Sequence, residues 1–376
     1  MIDVIIAGAG PAGSVTALLL ARAGARVLII DRERFPREKL CGDTLNPGAV
    51  RLLASLGLRD GPLTEALPLR GMRVTGPSAS VTGLYAPGVT GLAVRRRDLD
   101  TWLLQQAVSA GARFESGLVA RRPLLDSTGG LVRGLVLSPP RGGAELRIPA
   151  IMTIAADGRR SILVRLLGLR STRPRRRRWA FGTYAENVAG MSDVGEMHIR
   201  AGWYLGLAPV GSGLTNVCLV TPPRPAGRTP LEVVQHAIAR DPTLAERLGR
   251  ATFDAPVHVL GPLAADVRAP GVPGLLLVGD AAGFIDPMTG DGLHLAFQSA
   301  TLAAESVLRT LERGDYRDAV RRLAAGRHAS LSAKLRFNRC LRRLVDSPSA
   351  VDFASRSAQL FPGLIRRAIT YAGDVK

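Results

Sequence analysis

The stretch IDVIIAGAGPAGSVTALLLARAGARVLIID, residues 2–31, decides the fold of this chain. Residues 2–7 are a short apolar run that predicts a buried strand, and 14–23 predict a helix. Between them stands GAGPAG, a full G-x-G-x-x-G motif, and a second predicted strand, 27–30, delivers Asp31 eighteen residues after the last glycine of that motif. Such glycines permit a tight turn and the close approach of a pyrophosphate, and the acid suits a ribose hydroxyl. The stretch therefore predicts a dinucleotide-binding βαβ unit.

A second glycine-rich stretch, GDAAGFIDPMTGDG at residues 279–292, lies three-quarters of the way along the chain. It follows a short apolar run, 275–278, and precedes a long helical pattern that starts at Leu293. The glycines let backbone approach a ligand, and the new helix presents free N–H groups to an electron-rich group. Asp280 stands where a strand ends, a usual place for a functional carboxylate in open α/β sheets. A surface loop of small residues is the alternative, and the dinucleotide motif favours the ligand site.

Three blocks of this sequence resemble the FAD-dependent oxidoreductases that share the glutathione-reductase type of FAD fold with aromatic hydroxylases, flavin halogenases and geranylgeranyl reductases. The blocks are Gly8 to Gly13 with Asp31, ADGRRS at 156–161, and Gly279-Asp280 with 287–292. The resemblance implies an α/β fold in which a glutathione-reductase-type FAD-binding Rossmann domain is interleaved with an antiparallel-sheet substrate domain and followed by C-terminal helices. We predict the FAD-binding domain at 1–70, 94–171 and 256–310, the substrate domain at 71–93 and 172–255, and the helical segment at 311–376.

The same resemblance implies which residues contact FAD. Asp280 would hold the ribityl chain, residues 287–292 would lie against the pyrimidine end of the flavin ring, and Arg96 would reach the phosphates, although the run of three arginines at 95–97 leaves that register open. Asp157, at the end of a predicted strand and followed by a glycine, suits a close turn beside the cofactor. The predicted FAD-binding residues are Gly8, Gly10, Pro11, Ala12, Gly13, Asp31, Arg32, Cys41, Gly42, Arg96, Val119, Asp157, Gly279, Asp280, Pro287, Gly290, Asp291, Gly292 and Leu293.

Cys41-Gly42, in the charged loop after Asp31, is similar to the Cys-Gly of geranylgeranyl-reductase-like enzymes, where the thiol lies close to the flavin ring. A small buried thiol is the alternative, because that is the commonest fate of a free cysteine. We predict a place near the flavin for Cys41, which is the candidate catalytic residue. Reactivity is a further property that the sequence does not show.

Residues 179–221 alternate in a way that predicts an antiparallel sheet, and 69–85 predict a hairpin. Aromatic residues, which are scarce elsewhere, concentrate in this sheet. Alternation sends neighbouring side chains to opposite faces, so one set can line an apolar cavity above the flavin while the other packs outward. Core packing is the alternative for each ring. The predicted substrate contacts are Tyr184, Trp203 and Tyr204.

Two further helices are predicted at 316–344 and 351–371, the first of them heavily basic. A basic amphipathic helix can lie on a membrane surface. A brace for the scaffold with one wet face is the commoner use of such a helix. We interpret the two helices as braces.

Composition narrows the class of protein. The chain has 376 residues and 46% hydrophobic content, enough for a sizeable core. Met1 leads straight into the first predicted strand, no apolar run could span a bilayer, and three distant cysteines suit reduced thiols. We expect a cytoplasmic protein, with peripheral membrane association as an open alternative.

The net charge of +19 is almost entirely due to arginine. Nucleic acid as a partner is rejected, because aromatic residues are few and no nucleic-acid motif occurs. A solvated arginine-rich surface is the simplest explanation of the charge. Attraction to an anionic membrane surface or to an acidic carrier protein is the functional alternative.

The reactivity must come from the cofactor. The five histidines show no metal-ligand spacing, so no metal is expected, and the motifs G-x-S-x-G and H-E-x-x-H are absent from the sequence. No second G-x-G-x-x-G occurs, so the electrons would come from a transient NAD(P)H or from a separate reductase partner. The turn PMTGDG at 287–292, together with Cys41-Gly42, is more similar to the geranylgeranyl-reductase branch than to aromatic hydroxylases. WYLGLAP at 203–209 lacks the W-x-W-x-I-P block of halogenases.

We therefore expect an FAD-dependent oxidoreductase that reduces carbon–carbon double bonds of a small apolar substrate, isoprenoid-like or polyketide-like, free or carrier-bound. The hydride would come from reduced flavin. The main alternative is an FAD-dependent monooxygenase that hydroxylates an aromatic or polyketide substrate through a C4a-hydroperoxyflavin. A flavin-dependent halogenase and a non-catalytic flavin-binding protein are less favoured.

Overall fold

The computed structural model describes residues 2–171, 177–223, 227–263, 265–284 and 287–373. Residues 173–176 of the arginine-rich stretch and residues 285–286 of the second glycine-rich stretch lie outside these ranges. Pro287 is described by its backbone alone.

The strands of the described residues are numbered in chain order: β1 Ile2–Ala7, β2 Val27–Asp31, β3 Thr44–Leu45, β4 Leu67–Leu69, β5 Gly71–Thr75, β6 Ser80–Leu84, β7 Gly91–Ala93, β8 Arg113–Ser116, β9 Val119–Leu125, β10 Val132–Ser138, β11 Leu146–Ala155, β12 Trp179–Ala185, β13 Val194–Arg200, β14 Trp203–Pro209, β15 Thr215–Thr221, β16 His258–Leu260, β17 Gly271–Val272 and β18 Leu275–Leu277.

The α-helices are α1 Pro11–Arg22, α2 Pro47–Ser55, α3 Arg96–Ser109, α4 Ile162–Leu166, α5 Pro230–Ala239, α6 Pro242–Leu248, α7 Gly292–Arg313, α8 Tyr316–Val345, α9 Pro348–Leu360 and α10 Pro362–Ala372. Short 3-10 helices occupy Gly61–Leu63, Gly279–Ala282 and Pro287–Thr289.

The largest sheet carries the dinucleotide motif. Its order is β17-β18-β11-β1-β2-β8, and β10 and β9 continue from β11. The neighbours from β18 to β8 run parallel. Because parallel strands end at the same edge of a sheet, the turns after β1, β11 and β18 meet there. These turns carry Gly8, Asp157 and Asp280, so three blocks that are far apart in sequence share one edge.

β11 differs from the expectation. The sequence predicts separate strands at 144–148 and 151–155, whereas β11 runs unbroken over ten residues. Its first half pairs antiparallel with β10, and its second half pairs parallel with β1. The strand is continuous because each half has a different partner, and local sequence pattern does not contain that information.

β1 is buried on both faces, as a strand of a parallel sheet must be. Val4 and Ile6 belong to the core that the sheet forms with α1, α3 and α7. Ile5 and Ala7 belong to a second core, which includes residues of β10 and α4. Every residue from Val4 to Ala7 is therefore apolar because a hydrophobic core lies on each face of the strand.

The second sheet has the order β16-β12-β15-β14-β13-β5-β6. The predicted hairpin at 69–85 is confirmed as β5 and β6, and it joins the sheet through parallel pairing of β5 with β13. Side chains of β12, β14 and β15 on one face pack against α5 and α6. Tyr204 and Cys218, on the opposite face, cluster with Met288 and Val345. A third sheet, β3-β7-β4, is small.

The C-terminal helices continue from the first core. α8 is anchored on α7 through Ala319 and Leu323, which are fully buried. The helix predicted at 351–371 is divided into α9 and α10 at Phe361. Pro362 explains the break, because proline disfavours helical backbone in the residue before it. α10 packs on the edge strand β6, where a Cβ added to Gly83 would lie 3.0 Å from Ile369.

Candidate functional site

The first glycine turn is packed so tightly at Gly8 and Gly13 that only glycine fits these two positions. Gly8 has a φ of +106°, and a Cβ built on it would lie 2.4 Å from the carbonyl oxygen of Ala156. A Cβ on Gly13 would lie 1.9 Å from the carbonyl oxygen of Gly8. The start of α1 is thus held against the ends of β1 and β11. Gly10 is the N-cap residue of α1 and has no side chain that could accept a hydrogen bond from the first N–H groups of the helix. These backbone N–H groups therefore face the cleft.

Asp31 fixes this turn from the neighbouring strand. Its Oδ2 accepts a hydrogen bond of 2.8 Å from the N–H of Ala9, and its Oδ1 accepts one of 3.0 Å from the N–H of Glu33. The carboxylate therefore lies at the sheet edge beside the glycines, where the sequence predicted it. A carboxylate oxygen has further lone pairs and can also accept from a ribose hydroxyl.

The turn after β18 lies against the same helix. Gly279 has a φ of +56°, and a Cβ built on it would lie 2.8 Å from the Cβ of Ala12. The N–H of Gly279 donates to Ser299 Oγ on α7 over 2.9 Å. Asp280 lines the cleft, as do Gly290, Gly292 and Leu293 at the start of α7.

The cleft between these turns has a volume of about 1660 Å³, its open mouth included. Residues from all three predicted blocks line it, together with residues of the second sheet. A Cβ on Gly10 would meet only the end of the Arg37 side chain, at 3.4 Å. The open space above Gly10 and the free start of α1 fit a pyrophosphate, and the residues of all three blocks along the cleft fit a larger dinucleotide such as FAD.

A basic cluster lies beside the first turn. Arg96 is buried and grips Asp100 through hydrogen bonds of 2.7 and 2.9 Å. Arg37 forms a second ion pair with Asp100 at 3.2 Å. Lys39 lines the cleft, and burial, with Arg96 nearby, lowers the pKa of its ammonium group. Asp100 neutralises only part of this charge, so the cluster favours an anionic group at the start of α1. Of the three basic residues, only Arg96 was predicted from the sequence to contact FAD.

Cys41 and Gly42 line the cleft. The Cys41 side chain contacts the Arg96 guanidinium. Burial by itself would lower the pKa of Arg96, but Asp100 and Cys41 outweigh it, and the pKa is raised. Asn216 Nδ2 donates to the backbone carbonyl of Cys41 over 2.9 Å. The thiol thus lies between the basic cluster and the second sheet.

Asp43 is a positioning residue that the sequence did not reveal. It is almost fully buried and has a φ of +52°. Its carboxylate accepts hydrogen bonds of 2.6 Å from Tyr184 Oη, 2.8 Å from Asn216 Nδ2 and 3.1 Å from the N–H of Arg96. Burial raises the pKa of Asp43. Asp43 links the Cys41 loop to the second sheet. The only feature of the sequence that points to it is the presence of a polar residue directly after Cys41-Gly42.

Asp291 is engaged away from the cleft. Asn46 Nδ2 donates to Asp291 Oδ1 over 2.9 Å, and Lys334 Nζ lies 3.1 Å from the same oxygen. Lys334 also donates to the carbonyl oxygens of Tyr371 and Ala372, each over 2.8 Å. The turn that was predicted to meet the flavin ring is therefore connected by buried polar contacts to α8 and α10.

The three predicted substrate residues are placed differently. Tyr204 is buried and lines the cleft with Gly206 and Ala208. Trp203, its neighbour on β14, packs on the opposite face with the α5 and α6 core, because successive residues of a strand point to opposite sides. Tyr184 donates its hydroxyl to Asp43 and stands outside the set that lines the cleft.

The other predicted FAD residues lie around the edge of the sheet. Arg32 is exposed, with its Nε 3.3 Å from Glu33. Val119 begins β9, next to Leu118, whose N–H donates to the carbonyl oxygen of Asp31 over 3.1 Å. Asp157 Oδ1 is buried and has no hydrogen-bond partner among the described residues, and burial raises the pKa of Asp157 to about 6. Asp157 thus has unused hydrogen-bonding capacity beside the site.

A second cavity of about 950 Å³ adjoins the cleft. It lies between β5, β6 and β13 on one side and α8, α9 and α10 on the other. None of the described residues that line it is charged. The residues that line both cavities are Met72, Met197, Met288, Thr289, Ile369 and Ala372. The second cavity was not predicted from the sequence. Its wall comes from segments that are far apart in the chain, and each of them has the pattern of an ordinary amphipathic element.

Within the described ranges, no helix combines the length and the apolar character needed to cross a membrane.

The fold and the site define an FAD-dependent oxidoreductase. The FAD binding domain family matches residues 1–319, and the chain belongs to that family. The predicted α/β architecture is confirmed by structures of similar fold. The chain superposes on the flavin-dependent brominase Bmp2 with a TM-score of 0.85 at 21% identity, covering 99% of this chain and 93% of that one. A geranylgeranyl bacteriochlorophyll reductase-like protein from Thermoplasma acidophilum gives a TM-score of 0.77 at 23% identity, covering 93% and 89%.

Two relatives are more similar in sequence. The chain is 32% identical to a menaquinone reductase of Mycolicibacterium smegmatis over 329 residues, which are 81% of this chain and 75% of the relative. It is 32% identical to digeranylgeranylglycerophospholipid reductase 2 of Methanopyrus kandleri over 321 residues, 83% of this chain and 78% of the relative.

Proposed function

We propose that this flavoenzyme reduces carbon–carbon double bonds in the isoprenoid chain of a lipid-like substrate. The observation that carries the proposal is the second cavity, whose described lining residues carry no charge and which continues from the cleft where FAD fits. A flavin substrate pocket for a compact aromatic ring would not need this extension. The relatives named as menaquinone and digeranylgeranylglycerophospholipid reductases support the same substrate class.

The shape of the joined cavities suits a long, flexible, apolar chain. Met72, Met197 and Met288 form the passage between them. Methionine side chains adapt to irregular apolar surfaces, so this passage can follow a branched isoprenoid. Beyond it, Phe337 and Leu341 of α8 and Ile365 of α10 offer only apolar contacts. One double bond would lie in the cleft while the remainder of the chain extends into the second cavity.

FAD, when bound and reduced, supplies a hydride to one carbon of a double bond. The residues of this chain have three tasks. The basic cluster and the start of α1 bind the pyrophosphate, and the apolar walls orient the chain and exclude water. The second carbon takes a proton, and Cys41 and Tyr204 are among the residues lining the cleft that carry exchangeable protons. The electrons come from NAD(P)H or from a partner reductase.

The test uses the purified holoprotein without oxygen. Its flavin is reduced with dithionite, the excess is removed, and menaquinone with a geranylgeranyl side chain is added in detergent. We expect flavin reoxidation and a product whose side-chain fragment has gained two hydrogen atoms in tandem mass spectrometry, because reduction of the quinone ring alone adds the same mass to the intact molecule. Substrate-independent reoxidation alone, or a product that gains one oxygen atom when air is admitted, would contradict the proposal and favour the monooxygenase.

Chain length provides an internal control. Under this proposal a menaquinone with one isoprene unit leaves the second cavity empty, whereas one with four units extends into it. We expect the longer substrate to have a lower KM. Equal KM values would show that the second cavity takes no part in binding.

A further inference from the structure

The outer surface of α9 and α10 exposes large apolar side chains. Phe353 is 74% exposed, Leu360 75%, Phe361 61% and Leu364 62%. They lie within twelve residues of one another in sequence, and Tyr371 of α10 is also exposed, whereas the remaining exposed large apolar residues are scattered over the fold. A concentration of this kind on a folded protein marks an interaction surface.

These four side chains lie on the outside of one wall. The inner faces of the two helices, with Val351 and Ala358 on α9 and Ile365 and Ile369 on α10, line the second cavity. Phe353 and Leu360 are seven residues apart on α9, so they share its opposite face. The wall is therefore apolar on both sides, and one side is in contact with solvent.

The same surface is positively charged. Arg356, Arg366 and Arg367 are exposed, and none of them forms an ion pair with another described residue. Asp352 is the only carboxylate in the sequence from 347 to 373. Apolar side chains interleaved with arginines are the pattern of helices that lie in the plane of an anionic membrane surface. With 13 and 11 residues, α9 and α10 are too short to span a bilayer.

We propose that α9 and α10 form a docking surface for an anionic phospholipid bilayer. Phe353, Leu360, Phe361 and Leu364 insert among the acyl chains, and the three arginines bind lipid phosphates. A second copy of this chain is a poorer occupant, because two arginine-rich surfaces on molecules of net charge +19 would repel each other. Lipid substrates would pass from this surface into the second cavity, and that step rests on the proposed function. Membrane binding itself does not depend on the proposed function.

The experiment measures co-sedimentation of the holoprotein with vesicles. Vesicles of phosphatidylcholine mixed with phosphatidylglycerol are compared with pure phosphatidylcholine. We expect binding to the anionic vesicles that falls as salt is raised, and much weaker binding to the neutral ones. Equal binding to both kinds of vesicle, or no binding to either, would overturn the proposal.

Two sets of variants separate the apolar and the charged contributions. Replacing Arg356, Arg366 and Arg367 by Gln should weaken binding to anionic vesicles by roughly fivefold per arginine, on the order of a hundredfold together. Replacing the four apolar residues by Ser should weaken it by more than about tenfold. All seven side chains are exposed, so folding should be retained, which circular dichroism checks. Unchanged binding by either variant would count against the surface.

Matched controls lie elsewhere on the surface. Arg141→Gln with Arg240→Gln and Arg250→Gln removes the same charge from exposed positions, and Leu125→Ser with Leu146→Ser removes exposed apolar side chains from β9 and β11. These variants should bind vesicles nearly as the parent does. A loss as large as that of the α9 and α10 variants would show a general charge or solubility effect.

Phe361→Trp gives a readout that does not depend on affinity. Its fluorescence should shift to the blue on addition of anionic vesicles if the side chain enters the bilayer, and the absence of a shift would overturn insertion. Analytical ultracentrifugation tests the second-copy alternative. If the Ser variant converts a dimer to a monomer and the parent binds no vesicles, the surface is a dimer interface.

The vesicle assays contain no substrate, so they are independent of the proposed function. Vesicle binding without reduction of menaquinone would leave the docking surface in place and refute the reductase. Reduction of detergent-dispersed menaquinone without vesicle binding would refute the docking surface alone.

Discussion

Gly10 and Gly13 are two glycines of one motif for which the structure predicts opposite consequences. At Gly10 the backbone has φ −73° and ψ 179°, which alanine adopts without strain. The added Cβ would meet only the mobile end of Arg37, at 3.4 Å. At Gly13 the added Cβ would lie 1.9 Å from a backbone oxygen of Gly8, which cannot move without displacing α1. We therefore predict that Gly10 serves ligand binding and that Gly13 serves the packing of the fold.

We therefore expect Gly10→Ala to leave the flavin-free protein as stable as the parent, or more stable by about 0.4–1 kcal/mol, because alanine reduces the entropy of the unfolded chain. Its methyl group occupies the space where phosphate oxygens must approach the N–H groups of α1. If that crowding costs about 1–3 kcal/mol, FAD binding weakens roughly 5- to 150-fold. Gly13→Ala should destabilise the flavin-free protein itself, by about 1–3 kcal/mol or more.

The assay has two parts. Urea unfolding of the flavin-stripped proteins gives the free energies of unfolding, and titration followed by flavin fluorescence gives the dissociation constants for FAD. Gly363→Ala on α10 is the control, because nothing lies within 4 Å of its Cβ and it is remote from the dinucleotide motif. A Gly10→Ala protein that binds FAD like the parent, or a Gly13→Ala protein of parental stability, would refute this account of the turn.

Three further variants test other parts of the site. Gly206→Val puts a side chain into the cleft at a position where the nearest atom to the new Cβ is 3.7 Å away. FAD retention should therefore be parental, while the KM for the isoprenoid substrate rises about tenfold. A parental KM would show that the substrate does not pass β14. Lys334→Met removes the ammonium group that lies 3.1 Å from the buried Asp291 carboxylate and should cost about 3–5 kcal/mol, with faster hydrogen exchange in α10. Parental exchange there would contradict the connection. Asp157 has its pKa raised to about 6 by burial, so its ionisation destabilises the fold as pH rises from about 4 to 6. Asp157→Asn should lack this loss of stability, which is about 3 kcal/mol because the pKa of Asp157 lies roughly two units above that of an ordinary aspartate. Urea unfolding of both flavin-free proteins from pH 4 to 8 should show that their free energies of unfolding diverge between about pH 4 and 6. Parallel curves would refute the assignment.

Much of the FAD half was predictable because its signals are local. The run 2–31 contains a strand, a turn, a helix, a second strand and the acid, all within one stretch of backbone. The constraint on Gly8 and Gly13 comes from atoms that the motif itself brings together. The second sheet was predictable for the same reason, since alternation and turns are read over a few residues.

The positions of individual substrate residues relative to the cleft were harder to predict, because they depend on which face of a strand meets which neighbour. Alternation shows that Trp203 and Tyr204 point in opposite directions, but it does not say which direction holds the cleft. Asp43 and Asn216 are 173 residues apart in the chain, and no local pattern records that they meet. The roles predicted for the FAD-binding residues are still predictions, to be tested by the variants above.

The sequence by itself determined that this chain folds as an α/β flavoprotein with a dinucleotide turn at 8–13, because backbone geometry and close packing leave few residue types able to form such a turn. Only the tertiary structure decided that a second cavity adjoins the cleft. Its walls come from β5, β6, β13 and three helices near the C-terminus, and its volume is a property of how these elements pack. The apolar outer face of α9 and α10 likewise becomes visible only when the opposite face is seen to be buried. Distances between remote segments are fixed by the whole fold, and a one-dimensional pattern does not contain them.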